Sequence, residues 1–148
     1  MRRSMMAFTL ALSLAPAVPA DDCRLPDIRT WTNGVGSLAT IEVSEAGELS
    51  GTYRTAVGCR AGELQPLTGW CNGYGVTFAV DFRGCGSTTA WAGTIVEDDD
   101  GPRIEALWHL VRAGDAPAWD AVIAGKSTFR PAPETLDETE APAGSETP

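Results

Sequence analysis

The chain is poor in the groups that most enzymes and nucleic-acid binders depend on. It has one histidine, His109, no C-x-x-C pair, no G-x-S-x-G turn and no phosphate-binding glycine loop. A lone imidazole and dispersed cysteines leave no Cys/His set for zinc. The run Asp98-Asp99-Asp100 before Gly101 reads as a solvated hairpin turn rather than a calcium loop. A binding protein without a cofactor or metal is therefore expected, not an enzyme. Bases are scarce too: 11 Lys+Arg stand against 20 Asp+Glu, for a net charge of -9. Such a surface repels phosphate backbones and anionic lipids, which excludes nucleic acid and membrane surfaces as partners. Apart from the stretch Met5 to Leu14, itself too short, no run approaches the roughly 20 apolar residues of a membrane-spanning helix.

Three regions follow from what is present. Arg2 and Arg3, the apolar stretch from Met5 to Leu14 and the small-residue site Val18-Pro19-Ala20 make residues 1–20 a signal peptide. The mature chain would begin near Asp21, still more acidic for the loss of two arginines, and be secreted or periplasmic. Residues 131–148 are rich in acids and proline, lack bases and hold one large apolar residue, Leu136. Such a segment cannot offset its ordering entropy, so a disordered tail is expected. Residues 21–130 remain as one domain. Its cysteines, Cys23, Cys59, Cys71 and Cys85, are even in number in an exported chain, which favours disulfides; four cysteines allow three connectivities.

Within that domain no helical period is evident. Short stretches rich in Thr, Val, Ile and Trp are divided by Gly, Asn and Asp turns, a pattern that predicts strands at 28–33, 37–43, 48–57, 65–72, 75–83, 87–97, 102–113 and 120–130. Turns are expected at Asn33-Gly34, Glu45-Ala46-Gly47, Asn72-Gly73 and Asp98 to Gly101. The fold class is all-β, and eight meandering strands can close into an antiparallel up-and-down barrel, with no exposed edge and room for one small ligand. Alternation puts Ser87, Thr89, Trp91, Gly93 and Ile95 on one face of a strand, and Ile104, Ala106, Trp108 and Leu110 on one face of the next. A purely structural interior would be aliphatic. Aromatic rings mixed with hydroxyls are the composition of a ligand pocket.

Six stretches carry a resemblance: Thr30–Ser37 (TWTNGVGS), Gly47–Gly58 (GELSGTYRTAVG), Pro66–Gly69 (PLTG), Thr88–Gly93 (TTAWAG), Ile104–Leu110 (IEALWHL) and Gly125–Phe129 (GKSTF). In this order and near this spacing they resemble the avidin and streptavidin family across residues 30–130. The resemblance implies an avidin-like barrel that binds biotin without covalent chemistry. It assigns Asn33, Ser37 and Tyr53 to the ureido oxygen, Thr55 to one ureido N–H, Thr89 to the ring sulfur and Ser87 to the valeryl carboxylate. The loop carrying Val57 and Cys59 would help to hold that carboxylate, and Phe82, Trp91, Trp108 and Leu110 would form the apolar wall. Three donors converging in a dry cavity stabilise partial negative charge on an oxygen without having to reorganise. Each residue also has a plainer role, Asn33 as a turn residue, Ser37 as the start of a strand and the rings as core.

Two departures from the family pattern stand out. Ser127 occupies a position where relatives place Asp or Asn to receive the second ureido N–H, and Phe82 stands where Trp is usual. A neutral hydrogen bond contributes about 0.5–1.5 kcal/mol against about 1.5–3 for a charge-assisted one, so weaker binding than the family's extreme is expected. The resemblance to dimeric bacterial members further implies a Cys59–Cys85 bridge beside the ligand mouth, leaving Cys23 to pair with Cys71. Trp119 matches a tryptophan that reaches into a neighbour's site in tetrameric relatives, and Leu107, Val111, Val122 and Ala124 face outward. Lys126, near its own copy across a two-fold contact, argues against a tetramer. A homodimer is expected, with a homotetramer as the alternative. The competing function is a small secreted barrel that inhibits a protease or carries another apolar ligand.

Overall fold

The computed structural model describes residues 22–114 and 120–133, so the expected signal peptide and nearly all of the expected tail lie outside the described residues. Eight strands run in chain order: β1 Thr30–Asn33, β2 Leu38–Val43, β3 Glu48–Arg54, β4 Leu64–Asn72, β5 Gly75–Phe82, β6 Ser87–Asp98, β7 Gly101–Arg112 and β8 Val122–Pro131. Each pairs antiparallel with the next, and β1 pairs with β8 through Thr32↔Arg130 and Asn33↔Phe129. The sheet is thereby a closed barrel with no free strand edge.

The period-two pattern in the sequence becomes inside and outside. Along β5, Val76, Phe78, Val80 and Phe82 are buried while the residues between them are exposed. On β6 and β7 the buried sets include Thr89, Trp91 and Ile95, then Ile104 and Ala106, as alternation predicts. The apolar ones among them join Trp31, Leu49, Leu67 and Phe129 in one core inside the barrel. Phe78 stacks on Trp91 with ring centroids 5.0 Å apart, and Phe129 meets both rings edge-on.

One end of the barrel is stoppered. The segment before β1 crosses it, joined to β4 by the Cys23–Cys71 disulfide and by the Arg24 N–H donating to Gly73 O at 2.8 Å. Leu25 and Ile28 pack against the core there, and Trp31 Nε1 donates to Ile28 O at 2.9 Å. At the same end the β2–β3 turn needs Gly47, whose φ is 79° and whose Cβ would lie 2.4 Å from Cys71 O. The opposite end carries the connections 34–37, 55–63 and 83–86, and among the described residues it is open.

Strand boundaries differ from the sequence expectation mainly at β3, which ends at Arg54 instead of residue 57. Thr55 accounts for this: its hydroxyl donates to Val57 O at 2.8 Å and accepts from Val57 N at 3.3 Å, and the Gly62 N–H donates to its carbonyl. The side chain offers the backbone a turn in place of the ladder. β8 continues to Pro131, with the Ala132 N–H donating to Thr30 O, so the barrel's last strand runs past the expected boundary at 130.

Candidate functional site

The open end leads into a cavity of about 830 Å³, within the usual size range of small-molecule sites. Its wall includes Asn33, Ser37, Tyr53, Thr55, Val57, Cys59, Phe82, Ser87, Thr89, Trp91, Trp108, Leu110 and Ser127. Residues separated by almost a hundred positions in the chain thus share one space. Trp119, the remaining candidate, lies outside the described residues.

Local structure determines which way each polar group points. Asn33 ends β1, and its Oδ1 accepts from Val35 N at 3.2 Å and from Ser37 N at 2.9 Å. With its oxygen occupied by the turn, the amide nitrogen is turned toward the Tyr53 hydroxyl, 3.5 Å away. Ser37 Oγ accepts from Ala56 N at 3.0 Å, so what the hydroxyl has left for the lumen includes its proton. Tyr53 comes from β3, 3% exposed, and its hydroxyl meets both Ser37 and Asn33. Burial raises its pKa above the ordinary 10.0, while the Ser37 and Asn33 hydrogen bonds pull the other way. The phenol therefore keeps its proton at neutral pH. Thr55 is the opposite case: its proton is committed to Val57 O, leaving a lone pair as its offer to a ligand. The result is a cluster of three side chains able to donate, linked through the Tyr53 hydroxyl, with an acceptor lining the same cavity.

Rings line the rest. Trp91 is 5% exposed and lies 5.1 Å from Tyr53 between ring centroids, and Phe82 meets Tyr53 edge-on at 6.2 Å. Trp108 pairs with Trp91 across β6 and β7 and is half-buried. The Trp91 Nε1–H has no hydrogen-bond partner among the described residues. Leaving such a donor unpaired costs about 1–3 kcal/mol, a cost carried here by a residue of the cavity wall.

The mouth loops are fastened to each other. Cys59 in the β3–β4 connection is bonded to Cys85 in the β5–β6 connection. Beside that bridge the Arg60 guanidinium packs on Gly84, where a Cβ would come within 2.8 Å of it. Both disulfides agree with the pairing implied by the family resemblance, and no free cysteine remains.

The lining also holds residues that the sequence reading did not place there, notably Val35, Arg112, Thr128 and Arg130, along with Lys126, which was assigned only to a subunit contact. Arg112 obeys the same period of two. The lumen-facing set on β7 runs 104, 106, 108 and 110, and one more step of two arrives at 112.

Comparison with known proteins agrees with this geometry. The Avidin family model matches residues 22–132. Avidin from Gallus gallus is 32% identical over 139 residues, covering 84% of this chain and 88% of that protein. Among solved structures, the rhizavidin–biotin complex superposes with a TM-score of 0.64 at 29% identity, covering 69% of this chain and 96% of that one. Core-bradavidin superposes with a TM-score of 0.59 at 36% identity, covering 68% and 94%.

Proposed function

Because this chain belongs to the avidin family, we propose that its barrel mouth binds biotin non-covalently, one molecule per chain, and performs no catalysis. The observation that carries this reading is the fixed polarity at the deep end of the cavity. Asn33, Ser37 and Tyr53 form a cluster able to donate, and Thr55, its proton taken by Val57 O, offers an acceptor in the same cavity. A carbonyl oxygen flanked by N–H groups, as in a ureido ring, is the complement of that set. Preorganised donors act on such an oxygen with little reorganisation.

Ser127 would accept the second ureido N–H, Trp91, Trp108, Phe82 and Leu110 would cover the bicycle, and Thr89 would face the sulfur. Ser87 and the loop of Val57 and Cys59 would meet the carboxylate at the mouth. The Cys59–Cys85 bridge lowers the ordering cost of that loop before any ligand arrives. Titrating the oxidised chain from Asp21 onward with biotin by calorimetry is the test. One equivalent of biotin per chain is the expected result, and no heat at micromolar protein overturns the reading.

Export to the periplasm or the medium, with loss of residues 1–20, belongs to the same proposal, as does self-association. Leu107 and Val111 are 54% and 43% exposed on the outer wall of β7, which a second copy would cover. A homodimer is the favoured assembly and a homotetramer the alternative, and light scattering on the purified protein distinguishes them.

A further inference from the structure

The charge of the cavity is opposite to that of the chain. The whole sequence carries -9, yet the charged residues lining the cavity, among those described, are Arg112, Lys126 and Arg130, with no Asp or Glu. Their positions are not equivalent. Lys126 pairs with the outward Leu107 and Arg130 with Thr32, so both belong to the outward register and border the lip. Arg112 shares the register of the wall residues Trp108 and Leu110 and sits directly across from Ser87.

The backbone there is held from both sides. Arg112 N donates to Ala121 O at 3.0 Å, and Ala113 N donates to Gly86 O at 2.6 Å. The ion pairs formed among the described residues use Arg29, Arg60, Arg83 and Arg103, and none involves Arg112. From floor to rim the cavity therefore offers neutral donors, then aromatic wall, then a cation. A matching ligand has a neutral polar head, an apolar middle and an anionic end.

We propose that Arg112 is a specificity-determining residue that makes this site select a free carboxylic acid over the same ligand in neutral, amide-linked form. The inference rests on the biotin reading and adds to it which form of the vitamin is taken: free biotin in preference to biotin already attached through its carboxyl group. An arginine holds a carboxylate through charge-assisted, two-point hydrogen bonding, which an uncharged amide does not reproduce. Arg112 is exposed at the rim, so solvent screens it and the effect is moderate. A preference of about three- to tenfold for the acid is expected, shrinking as salt shortens the Debye length.

The experiment measures dissociation constants of the oxidised protein and of Arg112→Gln for biotin and for its primary amide, at low and high ionic strength. In the unaltered protein the acid should bind tighter, and the difference should narrow with salt. In Arg112→Gln, binding of the acid should fall to about the level of the amide while the amide binds as before, which also reports an intact fold. Equal binding of acid and amide by the unaltered protein overturns the proposal and leaves biotin binding standing. Discrimination that survives in Arg112→Gln, or a loss that strikes both ligands alike, overturns it as well. Binding of neither ligand by the unaltered protein removes the biotin reading and this inference together.

Discussion

Adding one methyl group behind Trp108 tests whether that ring is a movable wall of the cavity or a fixed part of the core. Gly125 on β8 lies opposite Trp108 on β7, and a Cβ built there stands 2.4 Å from Cζ2, 2.7 Å from Cε2 and 3.1 Å from Nε1 of the indole. Carbon atoms pack at about 3.5 Å or more, so in Gly125→Ala the ring must retreat by about 1 Å. The space open to it is the cavity. Overpacking of this kind costs about 1–3 kcal/mol, which here is charged to the ligand whose place the ring takes, a loss of roughly tenfold to a hundredfold in affinity. Stability should change little, because Gly125 does not have positive φ and alanine there narrows the unfolded ensemble by about 0.4–1 kcal/mol. Gly93→Ala is the control. Its Cβ would stand 2.3 Å from Glu105 O and 2.7 Å from Ala106 Cα, backbone atoms of the paired strand that can move only by parting the ladder. That variant should lose about 2–3 kcal/mol of stability, or roughly 10 °C or more of melting temperature. Biotin titration and thermal melting of both variants separate the two outcomes. A Gly125→Ala protein that melts as low as Gly93→Ala and keeps its affinity would show that Trp108 is not free to move into the cavity.

Three further predictions concern the polar end and the bridges. Ser127→Asp should tighten biotin binding about tenfold, since it exchanges a neutral acceptor for a charged one worth about 1–2 kcal/mol more; competition against unaltered protein measures it. Because burial raises the Tyr53 pKa, the folded state holds that proton more tightly than the unfolded chain does, so its contribution to stability is whole below 10.0 and is lost as pH climbs through the raised value. Affinity carried by the phenol donor should be flat across neutral pH and fall only in that alkaline range, a dependence that Tyr53→Phe should abolish along with part of the affinity. Replacing Cys59 and Cys85 by serine should weaken both stability and binding, whereas replacing Cys23 and Cys71 should lower melting temperature alone. With sequence separations of 26 and 48, the chain-entropy contributions are about 3.5 and 4 kcal/mol, so the mouth bridge is distinguished by its effect on affinity.

The barrel was legible because its strands bury one face. Val76, Phe78, Val80 and Phe82 alternate with exposed neighbours, and a register slip of one residue would expose all four, so pattern and pairing are tied together. The ends of strands were less legible for a physical reason. Thr55 has the composition of a strand residue, yet its hydroxyl bonds the backbone two residues on and ends β3, and only the fold reveals which choice the side chain makes. Site residues set within a strand, such as Thr89, Trp91 and Trp108, could be placed by counting in twos. Arg112 is not legible in the same way, because a charge at the end of a strand usually faces water, and whether it borders a cavity depends on the loops around it. The polarity of Asn33, Ser37 and Thr55 was also beyond the sequence, since each depends on which backbone group the other half of the side chain has already taken.

That last dependence explains how short, neutral side chains can serve as a selective site. A serine or threonine hydroxyl can donate or accept and rotates freely, so on a mobile loop it discriminates little between a carbonyl and an N–H. Here the backbone of Ala56 occupies an acceptor position on Ser37, and Val57 O takes the proton of Thr55, so the two hydroxyls enter the cavity with opposite roles. Both backbone partners belong to the connection that contains Cys59, and the bridge to Cys85 limits how far that connection can move. The disulfide therefore acts on the deep end of the cavity as well as on the mouth it spans. Loosening it would free Ala56 and Val57, restore the ambiguity of both hydroxyls and blunt recognition several residues away from either sulfur.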